Sequence, residues 1–246
     1  MSALKYKNDA NAIKRLISLR PTEPALRNAI KYAESNGVEA AFNFLNKCDE
    51  KINLAGSSLI KKKINVFTHC HSSTVNRILL KAKKQGSDIT VYNTETRPLL
   101  QGRITSTQLA KQGIKNVHGV DSAMTYLMEE CDIALIGADA ITKSCVINKI
   151  GSHEVGLVAY SLRVPLYVTS VAWKIDPVAW KNDDEKVEER VSSEVWKDAP
   201  KGVKILNPAF EHVEKELIKG IISEFGVLRY SSFVKKVEKE YAGLFR

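Results

Sequence analysis

From residue 64 onward the sequence alternates short β-branched, apolar runs with stretches whose apolar residues recur every three or four positions. The runs are INVFTHC from residue 64, ITVYNTE from 89, NVHGV at 116–120, DIALIGAD at 132–139, PLYVTS at 165–170 and VKIL at 203–206. Such runs are typical of buried strands, and the stretches between them are typical of amphipathic helices. Two of these stretches predict helices from about Ser73 to Lys84 and from about Ser152 to Leu162. Parallel neighbouring strands need a helical crossover. The alternation therefore predicts an α/β fold with a Rossmann-like, mostly parallel, doubly wound sheet.

The segments outside this alternation have a different character. Residues 1–62 show apolar spacings of three and four without strand-like alternation, which predicts a short N-terminal helical region before an α/β domain at residues 63–246. Residues 176–201 are rich in Asp, Glu and Lys, so we expect an excursion over the surface there. The final FVKKVEKEYAGLF predicts an amphipathic closing helix.

The composition excludes several classes of protein. Of the 246 residues, 44% are hydrophobic and 26% are charged, which is not the composition of a disordered or fibrous chain. No apolar run approaches the ~20 residues that cross a bilayer, and no signal-peptide core is present, so we expect a cytoplasmic protein without membrane contacts. The net charge of +9 favours anionic partners, and charge alone leaves nucleic acid and phosphorylated metabolites open. Because no nucleic-acid-binding motif occurs, we do not expect a nucleic-acid partner.

The cysteines and histidines do not predict a disulfide or a metal site. The four cysteines, Cys48, Cys70, Cys131 and Cys145, are widely spaced and form no C-x-x-C pair, so each is expected to be a free thiol. His69 and His71 have no Glu or His partner at metal-ligand spacing. Neither a Walker A sequence nor G-x-G-x-x-G is present. We therefore expect no metal and no cofactor.

Polar residues gather just after the predicted strands. In an open α/β sheet, ligands bind beyond the carboxyl ends of the strands. The residues at these ends are His69, Cys70 and His71 after INVFT, Arg97 after ITVYN, Asp139 after DIALI and Lys174 shortly after PLYVT. They include a thiol, an acid and two cations, which are the groups needed for proton transfer on an anionic substrate.

Each of these residues also has a structural interpretation. A cysteine at a strand end is often a small buried residue, and Asp139 could form a turn or cap a helix. An isolated Arg97 is usually solvated. If Cys70 begins the turn into a helix, the helix dipole would favour its thiolate and lower its pKa. Asn148 and Lys149 precede a predicted helix start, a place suited to phosphate.

Six short motifs follow one another in an order found in one protein family. They are THCHS at 68–72, TETRPLLQG at 94–102, VDSA at 120–123, IGADAI at 136–141, VINKIGS at 146–152 and LNPAF at 206–210. Over about residues 16–230 the chain resembles the translation initiation factor 2B α/β/δ-like family. Within that family it is most similar to the archaeal-type ribose-1,5-bisphosphate isomerases, which are relatives of the methylthioribose-1-phosphate isomerases.

The resemblance implies an activity and a set of site residues. The activity would be an aldose–ketose isomerisation of ribose 1,5-bisphosphate to ribulose 1,5-bisphosphate, in nucleotide salvage and AMP metabolism. Cys70 matches the catalytic thiol and Asp139 the catalytic acid. The positions that match the substrate-binding set are Arg20, Arg97, Gln101, Asn148, Lys149 and Lys174. A homodimer or higher homo-oligomer is also implied. Hydrophobic walls around the pair would raise the pKa of the acid.

Two other functions remain open at this point. A non-catalytic factor-2B-like regulatory subunit would bind a phosphorylated sugar or nucleotide and contact a translation factor. The absence of the family's Arg-Gly-Ala segment before Arg20 is compatible with it. An isomerase for methylthioribose 1-phosphate would differ in the residues around C5 of the sugar. The joint presence of Cys70 and Asp139, a pair that regulatory subunits generally lack, favours an enzyme.

Overall fold

The computed structural model describes residues 10–19, 23–179 and 188–245. Within them the α-helices are α1 (Ala10–Leu19), α2 (Pro24–Asn36), α3 (Val38–Ser58), α4 (Ser73–Lys84), α5 (Gln101–Lys111), α6 (Met124–Met128), α7 (Ser152–Leu162) and α8 (Tyr230–Glu240). The strands are β1 (Lys63–Thr68), β2 (Asp88–Thr94), β3 (Lys115–Gly119), β4 (Ile133–Ile136), β5 (Ala140–Ile141), β6 (Cys145–Lys149), β7 (Leu166–Thr169), β8 (Phe210–Glu214), β9 (Gly220–Ser223) and β10 (Gly226–Leu228). Among these helices none is both long and apolar enough to cross a membrane.

Seven strands form the main sheet in the order β3-β2-β1-β4-β7-β9-β10. All neighbouring pairs are parallel except β9 and β10, which form an antiparallel hairpin. The chain proceeds from β1 outward to β3 on one side, then crosses back and proceeds from β4 outward on the other. The strand order therefore reverses between β1 and β4, and this reversal creates a crevice at the carboxyl ends of the two strands.

Helices cover both faces of the sheet because successive side chains of a strand point to opposite faces. Val66 of β1 packs in one buried cluster with Ile52 of α3 and Ile78 of α4. The next residue, Phe67, packs in the other cluster with Val155 of α7 and Phe233 of α8. The main core thus has two layers, as a doubly wound sheet requires. The helix α3 shares this core, while the boundary at residues 62 and 63 stays a prediction.

The α/β fold class is confirmed, and two of the helices between strands begin and end where the periodicity places them. Ser72 caps α4 by accepting a hydrogen bond from the Val75 amide at 3.3 Å, which explains a start at Ser73. The predicted helices at 73–84 and about 152–162 are both present, as is the closing helix α8. In the described part of the excursion, residues 188–201 contribute no strand to the main sheet.

The strand prediction at 203–206 is wrong. This segment has no regular structure, and Val203 and Leu206 are 50% and 64% exposed. Apolar residues favour a strand only where they pack against a neighbouring strand, and these two side chains lack such packing. A second sheet of three antiparallel strands, β5-β6-β8, was not predicted. Its inner strand β6 is buried along its whole length, and a strand of that kind lacks the alternation that marks a half-buried one.

Glu224, directly after β9, is a buried acid with 8% exposure. Its two carboxylate oxygens accept the Ala172 amide at 3.2 and 3.1 Å, and one of them also accepts the Tyr241 hydroxyl at 3.1 Å. Burial raises the pKa of Glu224 above its usual value. The folded chain then holds a proton that the unfolded chain releases. This contribution to stability is complete below the unfolded-state pKa of about 4.3 and is lost as pH rises through the folded-state pKa.

We expect Glu224→Gln to be more stable than the wild type at pH 8 and to lose less stability between pH 5 and pH 8. Glutamine is neutral and keeps an acceptor for Ala172, and each unit of raised pKa corresponds to about 1.4 kcal/mol. Urea unfolding at several pH values measures the effect. Glu216→Gln is the control, because that side chain is 69% exposed. A variant less stable than the wild type at every pH would contradict the prediction.

Candidate active site

A cavity of about 370 Å³ lies at the crevice between the ends of β1 and β4. The chain leaving β1 contributes Cys70 to its lining, and the chain leaving β4 contributes Asp139. The predicted substrate-binding residues that also line it are Gln101, Asn148, Lys149 and Lys174. The thiol and the carboxyl, far apart in sequence, are thus on the walls of one cavity.

Of the predicted substrate-binding residues that the structure describes, Arg97 is not among those that line the cavity. The exposed side chain of Arg97 donates to the backbone oxygen of Val195 at 3.0 Å, and its amide donates to the Asp121 carboxylate at 2.7 Å. Arg20 lies outside the described residues. The substrate-binding roles of Arg97 and Arg20 therefore stay predictions.

Cys70 is held in a backbone conformation that is uncommon for a residue with a side chain. Its φ is +65°, in the left-handed region, which costs an L-residue roughly 1–2 kcal/mol. Its amide donates to Thr96 Oγ1 at 2.9 Å, and its carbonyl accepts from Thr105 Oγ1 at 2.9 Å. Strained positions held by surrounding hydrogen bonds cluster at functional sites. The two threonines fix the turn that carries the thiol.

The expectation that a helix terminus lowers the pKa of Cys70 is wrong. Burial raises it to about 11, and the negative charge of Asp139 acts in the same direction. The His71 amide and the charge of Lys149 act in the opposite direction but do not outweigh burial. Cys70 also precedes the capping residue Ser72 by two positions, so it lies outside the first turn, where the dipole is strong. The thiol therefore carries its proton at neutral pH.

Asp139 is half-buried where β4 passes into the second sheet. Its amide donates to the Ile147 carbonyl at 2.8 Å, which fixes the start of the β5–β6 hairpin. Two residues earlier, a Cβ on Gly137 would lie 2.9 Å from Ser72 Oγ. Glycine at position 137 thus permits the close approach that brings the Asp139 segment beside the Cys70 turn.

Several polar groups in the cavity are buried and suited to an anionic, hydroxylated ligand. Lys149, at the end of β6, is 5% exposed, and burial lowers its pKa. Gln101 Oε1 is buried and has no hydrogen-bond partner within the described parts of the chain. The Lys174 ammonium donates to the Ala138 carbonyl. Because an unpaired buried polar atom is costly, these groups favour a ligand that supplies the missing contacts.

His69 has a role at the site that the sequence did not reveal. Its ring is 2% exposed and joins two parts of the chain, with Nδ1 2.8 Å from Thr94 Oγ1 and Nε2 2.8 Å from the Ile150 carbonyl. A carbonyl only accepts, so Nε2 carries the hydrogen and Nδ1 accepts from Thr94. Burial lowers the pKa of His69 and keeps the ring neutral. The histidine thereby positions the loop that follows Lys149.

Gly151 allows this contact. Its φ is +95°, and a Cβ there would lie 2.8 Å from His69 Nε2. The N-x-I-G pattern of the sequence is the signal that could have indicated a close approach at this loop.

Two further cavity residues come from the irregular segment after residue 187. Glu188 and Arg190 line the cavity, and the Glu188 carbonyl accepts the Ala209 amide at 2.8 Å. Arg190 is paired with Glu194, with contacts from 2.7 to 3.1 Å. Sequence periodicity gives no signal for such residues, because no helix or strand carries them to the cavity.

Comparison with known proteins gives consistent matches over most of the chain. The sequence profile of the Initiation factor 2 subunit family matches residues 8–230. The ribose 1,5-bisphosphate isomerase of Methanocaldococcus jannaschii is 37% identical over 93% of this chain and 79% of its own. The protein of the same name from Archaeoglobus fulgidus is 35% identical over 88% and 75%. The crystal structure of the Pyrococcus horikoshii translation initiation factor eIF-2B superposes with a TM-score of 0.79 at 27% identity, covering 92% of this chain and 84% of that one.

Proposed function

Because the chain belongs to the Initiation factor 2 subunit family, we propose that it is a sugar-phosphate isomerase that converts ribose 1,5-bisphosphate into ribulose 1,5-bisphosphate. The observation that carries the proposal is the placement of Cys70 and Asp139 on the lining of one cavity at the reversal of strand order. A cleft that holds several titratable groups at such a point is the usual location of an active site. The relatives named ribose 1,5-bisphosphate isomerase support this substrate.

The reaction needs two proton-handling groups. Phosphate on C1 prevents a free aldehyde, so the bond between C1 and the ring oxygen must break, and the ring oxygen takes up a proton. The C2 hydroxyl loses a proton, and hydrogen moves from C2 to C1. The product is the ketose, with C1 still phosphorylated, and no external oxidant or reductant is consumed. Cys70 and Asp139 share these acid and base duties, each of which contributes about 10²–10⁴-fold.

The other cavity residues bind and orient the substrate. Lys149 and Lys174 supply positive charge for phosphate, and ion-assisted hydrogen bonds of this kind are about twice as strong as neutral ones. Asn148 and Gln101 supply amide groups for phosphate oxygens and sugar hydroxyls. Binding energy from both ends of the sugar then fixes C1 and C2 beside the thiol and the carboxyl.

Turnover tests the proposal directly. Purified protein is incubated with ribose 1,5-bisphosphate, and the ketose is followed by ³¹P NMR, with methylthioribose 1-phosphate in a parallel reaction. We expect conversion of the bisphosphate. If only methylthioribose 1-phosphate is converted, the protein is an isomerase with that compound as its substrate instead of ribose 1,5-bisphosphate. Binding of ribose 1,5-bisphosphate without conversion would contradict the enzymatic function.

A non-catalytic regulatory subunit is the second candidate, and the similarity to a structure named a translation initiation factor favours it. Such a subunit would bind a sugar phosphate or nucleotide unchanged and would co-purify with a translation factor. The joint presence of Cys70 and Asp139 in the cavity is better accounted for by an enzyme.

We also propose that the protein works as a homodimer or higher homo-oligomer. Tyr126 on α6 and Leu157 and Tyr160 on α7 are 77%, 49% and 72% exposed. The helices α6 and α7 contact each other, and exposed apolar side chains on neighbouring elements are typical of protein interfaces. We expect sedimentation velocity to show an oligomer and Tyr160→Glu to weaken it. A wild-type protein that sediments as a monomer at micromolar concentration would contradict the proposal.

A further inference from the structure

The His71 ring lines the same cavity as Cys70, and one of its nitrogens belongs to an oriented chain of hydrogen bonds. Thr105 Oγ1 donates its single hydrogen to the Cys70 carbonyl at 2.9 Å, and a carbonyl can only accept. The same Oγ1 lies 3.0 Å from His71 Nδ1. Since the threonine hydrogen is already used, Nδ1 must be the donor of the second bond. His71 therefore carries a hydrogen on Nδ1.

The second nitrogen of His71 has a free lone pair when the ring is neutral. Burial lowers the pKa of His71 below its usual value of about 6.5, so the ring is neutral at neutral pH. No hydrogen-bond partner for Nε2 is present in the described ranges of the chain. His69, two residues earlier, is the opposite tautomer, with its hydrogen on Nε2.

The charged groups around the cavity do not favour the protonated ring. They are the acids Glu23, Asp139 and Glu188 and the cations Lys149, Lys174 and Arg190. Their formal charges cancel, and the neighbouring Cys70 and His69 are uncharged at neutral pH. Burial is accordingly the cause of the lowered pKa.

The cavity contains hydrogen-bond donors as well as hydrogen-bond acceptors. Its lysine ammonium groups and the protonated thiol donate hydrogen bonds, which suits phosphate oxygens. A sugar hydroxyl needs an acceptor as well, and His71, which lines the cavity, has a neutral acceptor in Nε2. We propose that Nε2 of His71 accepts the hydrogen of a hydroxyl group on the bound sugar. The inference rests on the proposed function only in taking the ligand to be a sugar phosphate.

Two substitutions separate this role from a structural one. In His71→Asn the amide replaces Nδ1 and can still donate to Thr105, but no atom remains at the position of Nε2. In His71→Gln the amide reaches the position of Nε2 and can supply an acceptor there. We expect His71→Asn to weaken binding of ribulose 1,5-bisphosphate about 10- to 100-fold, and His71→Gln to retain most of the affinity. A merely structural histidine would give the opposite order, because only Asn keeps the bond to Thr105.

Calorimetry measures these affinities, and inorganic phosphate is the control ligand. Phosphate interacts mainly through its acceptor oxygens, so its affinity should be equal in the wild type and both variants. The proposal would be overturned if His71→Asn bound ribulose 1,5-bisphosphate as tightly as the wild type. It would also be overturned if the affinity of His71→Asn for inorganic phosphate fell by the same factor as its affinity for ribulose 1,5-bisphosphate. Melting temperatures of the variants show whether a loss of binding follows from a loss of folding.

Nitrogen-15 NMR of histidine-labelled protein tests the tautomer without any turnover. We expect His71 to show its hydrogen on Nδ1 and His69 on Nε2, and ribulose 1,5-bisphosphate to shift the Nε2 resonance of His71. A hydrogen on His71 Nε2, or no response to the sugar phosphate, would overturn the proposal even if isomerisation is observed. If the resonance responds while no ketose forms from ribose 1,5-bisphosphate, the isomerase function fails and the role of His71 stands.

Discussion

Cys70→Ser and Asp139→Asn are each expected to lower kcat for the isomerisation of ribose 1,5-bisphosphate by about 10²–10⁴-fold while KM changes much less. Serine keeps a hydroxyl at the same place but is a far weaker acid than the thiol, and asparagine keeps the shape of the carboxyl but cannot exchange a proton. Because the phosphate-binding groups are unchanged, the ground-state complex should form normally. Steady-state kinetics with the ³¹P NMR assay gives both constants.

Matched substitutions outside the cavity control for general damage. Cys145→Ser alters a buried thiol at the start of β6, and Asp88→Asn alters an exposed carboxyl paired with Lys115. Both should retain kcat within about twofold, because surface and conservative changes rarely have larger effects. Full turnover by Cys70→Ser or Asp139→Asn would remove that residue from the proposed chemistry. Equal losses in the controls would attribute the effect to folding.

Gly102→Ala is expected to destabilise the protein by more than about 4 kcal/mol, or to prevent it from folding. A Cβ at this position would overlap the main-chain oxygen of Thr94 at the end of β2. Backbone cannot move aside as a flexible side chain can. The Gly102 amide also donates to the Glu95 carbonyl at 3.0 Å, and its carbonyl accepts from Asn93 Nδ2 at 2.9 Å. The helix α5 therefore cannot shift away from the end of β2 without breaking these hydrogen bonds.

Urea unfolding of the purified variants measures the effect of Gly102→Ala. Thr107→Ala, on the exposed face of the same helix, should change the free energy of unfolding by about 0.5 kcal/mol or less. A soluble Gly102→Ala protein with the midpoint of the wild type would contradict the prediction. If the variant folds with α5 displaced, affinity for ribulose 1,5-bisphosphate should fall as well, because Gln101 and Thr105 are on that helix.

Five of the seven strands of the main sheet, β1, β2, β3, β4 and β7, could be predicted from sequence because they and the helices between them have strong local patterns. The short strands β9 and β10 were not predicted. The apolar residues of INVFT and the helix predicted from about Ser73 together locate the turn that carries Cys70. The order of strands could not be obtained from such patterns, yet the crossover rules placed strand ends at one edge of the sheet. By that rule the sequence alone places Cys70, Asp139 and Lys174 near this edge of the sheet.

The parts that could not be predicted depend on contacts between distant segments. The two-residue strand β5 is too short to have a periodicity, and it exists because β6 pairs with it. Glu188 reaches the cavity on an irregular segment that is held by a backbone hydrogen bond from the Ala209 amide to the Glu188 carbonyl. The raised pKa of Cys70 reflects the depth of burial at the site, and sequence position at a strand end carries no measure of that depth.

The contact between His69 and Ile150 closes a loop across 81 residues. In secreted proteins a disulfide often performs such a cross-link, but here an uncharged ring does so with hydrogen bonds, which require no oxidant. Because the ring resists protonation, the cross-link is insensitive to changes of pH around neutrality. The sheet does not depend on it for strand pairing. Loss of this contact would release the loop that follows Lys149 without removing a strand-pairing hydrogen bond.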